Sequence, residues 1–119
     1  MAERQAYGRA GEALAEKLLR KKGHKIVARN YRTSHGEIDR ISLAPDKTLV
    51  FTEVRSKHDT LYGHPLETID ARKQAYVRQA AQLFLHKHPT YRNHVCRFDV
   101  VTVVGEGRSA VVEHFENVF

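Results

Sequence analysis

Apolar positions recur at helical spacing near the start of the chain. From about Arg4 to Lys22, Ala10, Leu14 and Leu18 repeat at i, i+4 and i+8, with Tyr7 and Gly11 on the same side. That period predicts a helix with one buried face. Gly23 follows the basic run Arg20, Lys21, Lys22 and predicts a C-cap. Residues 25–31 (KIVARNY) read as a strand. Residues 37–43 and 48–55 read as two more, parted by Pro45 and Asp46, a spacing that predicts a hairpin. Residues 59–67 hold Gly63 and Pro65 and predict a loop. The helical period returns from about Thr68 to Lys87, where Ile69, Tyr76, Val77, Ala80, Leu83 and Phe84 form one stripe, with Pro89 just beyond. Residues 97–104 (RFDVVTVV) form the β-branched run of a buried strand, and 110–115 (AVVEHF) predict a last strand at an edge. The order αβββαββ predicts a mixed sheet of about five strands with helices packed on it, in the α/β or α+β class. No repeat, low-complexity tract or linker interrupts it, so residues 1–119 are expected to form one domain.

Composition narrows the function classes. With 41% hydrophobic and 29% charged residues, the chain reads as an ordinary globular protein. Twenty Lys and Arg against fourteen Asp and Glu give a net charge of +6, which favours a polyanionic partner such as nucleic acid or an anionic membrane. Cys96 is the only cysteine, so there is neither an intramolecular disulfide nor a Cys-based zinc cage. The opening MAERQAYGRAG lacks an apolar h-region, and no apolar run reaches the roughly 20 residues that span a bilayer. A cytoplasmic protein without a membrane span is expected.

The candidate chemistry lies on the hairpin. With Pro45, Asp46 and Lys47 as its loop, Leu43 faces Leu49, Ile41 faces Phe51, Asp39 faces Glu53 and Glu37 faces Arg55. All eight then share one face, apolar near the turn and acidic at the open end. A loop shifted by one residue would move Asp39 out of line with Glu53. Two carboxylates placed opposite each other repel, and such a pair calls for a cation, a shared proton or a basic neighbour. Carboxylate oxygens suit hard cations such as Mg2+ or Mn2+. The plainer reading is a solvated Asp and a surface Glu–Arg ion pair. Against it, Glu53 interrupts the apolar run LVFTEV, where an unpaired carboxylate would be costly.

GRAGEALAEKLLRKKGHKIVARNYRTSHGEIDRI, LVFTEVRSK, RKQ and CRFDVV together resemble the uncharacterised YraN-type family over nearly the whole chain. That family is similar to the PD-(D/E)XK nucleases and to archaeal Holliday-junction resolvases. The resemblance implies a restriction-endonuclease-like core, with Asp39 and Glu53 as metal-binding acids and Glu12 as a third carboxylate on the first helix. Read from the residues alone, Glu12 is a capping or surface glutamate. Relatives of the resolvase type act as dimers, so the resemblance also implies a homodimer, although no interface is marked in the sequence.

One position departs from the superfamily pattern. Two residues after the second acid the pattern has lysine, and this chain has Arg55. Arginine can orient a water and stabilise charge but cannot act as a base, which leaves deprotonation of the water to the metal. Lys73, on the stripe of the second long helix, is the candidate replacement. It is either a snorkelling lysine at the margin of the stripe or one that reaches the acidic cluster.

Two acid-free basic tracts flank the cluster, between Glu16 and Glu37 and between Asp70 and Asp99. Arg9, Arg29, Arg32, Arg72 and Arg78 are the arginines expected to meet nucleic-acid phosphates. Asp99, inside an apolar strand, is expected in a structural ion pair with Arg97 or Arg72. Two functions follow. One is a Mg2+- or Mn2+-dependent endonuclease acting on DNA, branched DNA included. The other is a nucleic-acid-binding protein that keeps a nuclease fold without turnover.

Overall fold

The computed structural model describes residues 2–61 and 63–119, and the side chains within them except at 2–7 and 68. The elements are α1 (Ala2–Lys21), β1 (Lys25–Thr33), β2 (Gly36–Leu43), β3 (Leu49–Lys57), α2 (Ala71–Lys87), β4 (Cys96–Val104) and β5 (Val111–Phe115), with short 3-10 turns at Pro65–Thr68, Pro89–Tyr91 and Gly107–Ser109. The strands form one mixed sheet in the order β1-β2-β3-β4-β5. Only β3 and β4 run parallel. A parallel pair needs a long crossover, and α2 supplies it. This α/β arrangement is consistent with a restriction-endonuclease-like core. Among the described residues no helix is long and apolar enough to cross a membrane.

The helices cover opposite faces. Val77, Ala80, Ala81 and Phe84 of α2 pack on Ile38, Ile41, Leu49 and Phe51. Ala15 of α1 packs on Val101 and Val103. In α1 the buried seam runs through Gly11, Ala15 and Leu19, one position round from the expected stripe, while Leu14 and Leu18 are half-buried and Ala10 is exposed. At Gly11 the helix lies directly against β3. A Cβ there would overlap Ser56 Oγ and lie 3.2 Å from Ser56 Cβ. Gly8, about one turn earlier, has open space where its Cβ would be. Tyr7 has its side chain outside the described residues.

Local signals set the ends of the elements. Gly23 takes a left-handed φ of 88°, and the bonds Gly23 N–H to Arg20 C=O and His24 N–H to Leu19 C=O close α1 in a Schellman motif. Helix α2 starts three residues later than the apolar stripe suggests. Asp70 is its N-cap, accepting from the Lys73 amide at 2.9 Å, and Ile69 caps the preceding 3-10 turn. An Asp that can satisfy a free helical N–H outweighs an apolar match at Ile69. Tyr76 stands exposed and Ala81 takes its place in the buried set.

Glu16 ties α1 to the sheet. Its carboxylate accepts from Arg29 at 2.7 and 2.9 Å, from Arg40 Nε at 2.9 Å and from Arg20 at 3.1 Å. The Arg29 bonds lead in lowering its pKa; burial opposes them, the Arg20 and Arg40 bonds add to them, and the carboxyl falls from 4.5 to about 2.

Gly11→Ala is expected to destabilise the fold by about 1–2 kcal/mol in urea unfolding, because the overlap with Ser56 outweighs the helix propensity gained. Ser56→Ala in the same chain should recover most of that loss. Glu16 contributes stability that is complete above its unfolded value of 4.5 and is lost as pH falls toward about 2. Glu16→Gln should therefore lower the melting temperature at neutral pH and flatten its dependence on pH between those values.

Candidate metal centre

The hairpin closes as the turn chemistry requires. Ala44 and Thr48 bond across Pro45-Asp46-Lys47, with Lys47 at φ 74° and the Asp46 carboxylate accepting the Thr48 amide. The ladder pairs Leu43 with Leu49, Ser42 with Val50, Ile41 with Phe51 and Arg40 with Thr52. There it stops. Beyond it, Val54 N–H donates to Asp39 Oδ2 at 2.7 Å. The expected Asp39–Glu53 and Glu37–Arg55 pairs are therefore not ladder pairs, because the Asp39 side chain has taken the place of a backbone acceptor.

Asp39 and Glu53 nevertheless meet. Burial is the largest influence raising the Asp39 pKa, followed by the charge of Glu53 and a hydrogen bond between the two carboxyls. The Val54 amide pulls the other way without reversing the shift, and Glu12 adds to the repulsion. Glu53 is 3% exposed. Its Oε2 lies 2.9 Å from Lys73 Nζ and 3.6 Å from Arg55 Nη2. Lys73 sits in the first turn of α2, which the Asp70 cap aims at the open end of the hairpin. So β2, β3 and α2 each bring one group to the same place.

Glu12 approaches from α1. Its Oε1 accepts from Asn30 Nδ2 at 2.8 Å and from Arg40 Nη1 at 3.1 Å. Glu37 accepts from Asn30 Nδ2 at 3.1 Å and pairs with Arg32 at 3.5 Å, not with Arg55. Glu12, Glu37, Asp39, Glu53, Arg55 and Lys73 all line one open cleft of about 1400 Å3. Six Asp or Glu line it against three Lys or Arg, so a phosphodiester entering it needs added positive charge.

The five arginines expected at phosphates do not line this cleft. Arg29 is engaged by Glu16 and Arg32 by Glu37. Arg72 donates to the Tyr76 hydroxyl, and Arg78 lies 4.8 Å from the centre of the Phe98 ring. Arg9 is exposed on α1 between the cleft-lining Gly8 and Ala10. The cleft's own cations are Arg55, Lys57 and Lys73.

A second cluster is structural. Asp99 is wholly buried and accepts both Arg97 Nε and Nη2 at 2.9 Å, His114 Nε2 at 2.7 Å and the Asn117 amide at 2.9 Å. Burial raises its pKa, but the His114, Arg97 and Asn117 bonds outweigh that and leave it lowered. Ligand atoms of Asp99, His114 and Glu116 lie within 4.8 Å of one another, yet Arg97 already bonds both acids. A guanidinium holds the place a metal would need.

Asn30, Glu16 and Arg40 carry site contacts that the sequence patterns did not single out. An Asn inside KIVARNYRT was the available signal, since Asn is disfavoured in strands.

Comparison with known proteins adds kinship. A model of an uncharacterised protein family, UPF0102, matches residues 11–103. A UPF0102 protein of Stutzerimonas stutzeri is 41% identical over 119 residues, covering 100% of this chain and 98% of the relative. One from Desulfosudis oleivorans is 46% identical over 118 residues, covering 98% and 92%. One from Pseudomonas putida is 45% identical over 98 residues, covering 82% and 79%.

In the metal-free protein Asp39 is a source of instability. Unfolded, its carboxyl ionises above 3.8; folded, it is held well above that, so the fold loses stability as pH rises from there. Asp39→Asn still accepts the Val54 amide and ends the repulsion. In EDTA at pH 7 it should melt higher than wild type, by roughly 3–6 °C for each kcal/mol recovered. Mn2+ should raise the wild-type melting temperature and leave that of Asp39→Asn unchanged.

Proposed function

We propose, on the footing that the chain belongs to the uncharacterised protein family UPF0102, that it is a metal-dependent endonuclease that hydrolyses phosphodiester bonds in DNA, branched DNA included. The observation that carries this reading is the meeting of Asp39, Glu53 and Lys73 from three separate elements in one cleft.

The donor set fits a hard divalent cation. Asp39 and Glu53 are oxygen donors held side by side, and the repulsion between them is only partly met by one ammonium. Glu12 lines the same cleft but its oxygens do not group with those of both acids within 4.8 Å, so it would join through a water. Mg2+ or Mn2+ bound there would supply positive charge for the phosphate and acidify a coordinated water. The other roles belong to the chain itself. Lys73 offers an ammonium beside Glu53 although the position two residues after Glu53 is arginine. With a cation on Glu53, Lys73 and Arg55 are free to donate to a non-bridging phosphate oxygen as charge builds on it. Arg55 touches Glu53 only at 3.6 Å, so its donors are not committed to that carboxylate. The net charge of +6 assists approach of a polyanion at low salt.

Arg55 also favours a second reading, a nucleic-acid-binding protein without turnover. One assay separates the two. The purified chain is incubated with linear, single-stranded and four-way-junction DNA in Mg2+, Mn2+ or EDTA. Cleavage that needs metal is expected, abolished by Asp39→Ala and slowed about 100-fold by Lys73→Ala. Retention of DNA with no cleavage in any metal would favour the second reading instead.

A further inference from the structure

β1 leaves its regular course between Ile26 and Ala28, where the register with β2 shifts, and again at Asn30. The ladder with β2 pairs Arg29 with Arg40 and Tyr31 with Ile38, so by register Asn30 lies across from Asp39, yet the two do not pair. Asn30 has a left-handed φ of 48°. Asn tolerates that region better than most residues, but glycine does so without strain. If the backbone alone mattered, glycine would serve better. The side chain therefore needs its own explanation.

Its bonds supply one. The amide nitrogen carries two hydrogens. Nδ2 lies 2.8 Å from Glu12 Oε1 and 3.1 Å from Glu37 Oε1, one hydrogen for each carboxylate. The opposite orientation of the amide would set its oxygen against both acids. Arg40 Nη1 is the second donor to Glu12 Oε1, at 3.1 Å, and Arg40 is itself held by Glu16 at 2.9 Å and by the Asp39 carbonyl at 2.7 Å. Arg40 is 6% exposed and so has little freedom to turn away. Among the described residues, Oε2 of Glu12 accepts no hydrogen bond. Among the described residues the side-chain donors to Glu12 thus all fall on one oxygen, and the carboxylate lines the same cleft as Asp39.

We infer that Asn30 is a positioning residue: with Arg40 it holds Glu12 by one oxygen so that the other is turned toward a divalent cation held by Asp39 and Glu53. The inference rests on the metal-binding part of the reading above and not on turnover. Donors that orient a ligating carboxylate are worth about 10- to 100-fold in metal affinity.

The test is Mn2+ binding, followed by calorimetry and by loss of the free-ion electron paramagnetic resonance signal. Asn30→Gly removes the amide and keeps the backbone conformation, so its melting temperature in EDTA should match wild type or exceed it. Its Mn2+ affinity should fall about 10-fold or more. Glu12→Gln should weaken binding as well, and Asn30→Gly added to Glu12→Gln should weaken it no further, because Asn30 acts through Glu12. Wild-type affinity in Asn30→Gly, or losses that simply add in the double variant, would overturn the inference alone. Absence of Mn2+ binding by the wild-type chain would overturn it together with the metal site it rests on.

Discussion

Beyond Thr52 the ladder between β2 and β3 gives way, and the Val54 amide takes the Asp39 carboxylate as its acceptor in place of a backbone carbonyl. A buried N–H has to be satisfied, and here a side chain does it. The bond holds Asp39 at the open end of the hairpin and brings its carboxyl against that of Glu53. A regular ladder would have kept the two strands closed at this point. The opening between them is also where α1 and α2 can each deliver a side chain from their own face of the sheet.

Two carboxylates in so buried a place create a charge problem, and much of the surrounding structure answers it. Lys73 meets Glu53 from the capped end of α2. Arg40 and Asn30 meet Glu12. Glu16, in turn, fixes Arg40 and Arg29. Each charge is held by an element other than its own, so the electrostatics of the site and the docking of the helices on the sheet are one arrangement. The same logic removes several arginines from the pool available to a polyanion. Arg29, Arg72 and Arg78 are engaged by Glu16, Tyr76 and Phe98, which leaves Arg55, Lys57 and Lys73 as the cations of the cleft.

Local patterns were a good guide wherever local physics decides. The element order αβββαββ, the Gly23 cap and the three-residue hairpin loop all depend on neighbours a few residues apart. So does the register of Leu43 with Leu49 and Ile41 with Phe51. Misplacements came where a distant contact intervened or where two local signals competed. The buried seam of α1 runs through Gly11, which lies against Ser56 of β3, and the start of α2 is set by a cap bond that competes with the apolar stripe.

From its own residues the chain determined two helical periods, five strands and a pair of acids close to each other across a hairpin turn, because side-chain periodicity and turn length are properties of contiguous residues. Tertiary structure alone decided which cations those acids meet. Along the chain Lys73 fits either the margin of the stripe or the acidic cluster, and the docking of α2 puts its ammonium on Glu53. Asn30 and Arg40 carried no mark of their contacts with Glu12, since those join residues 18 and 28 positions apart. Such contacts depend on how helices dock on a twisted sheet, and no spacing along the chain encodes that.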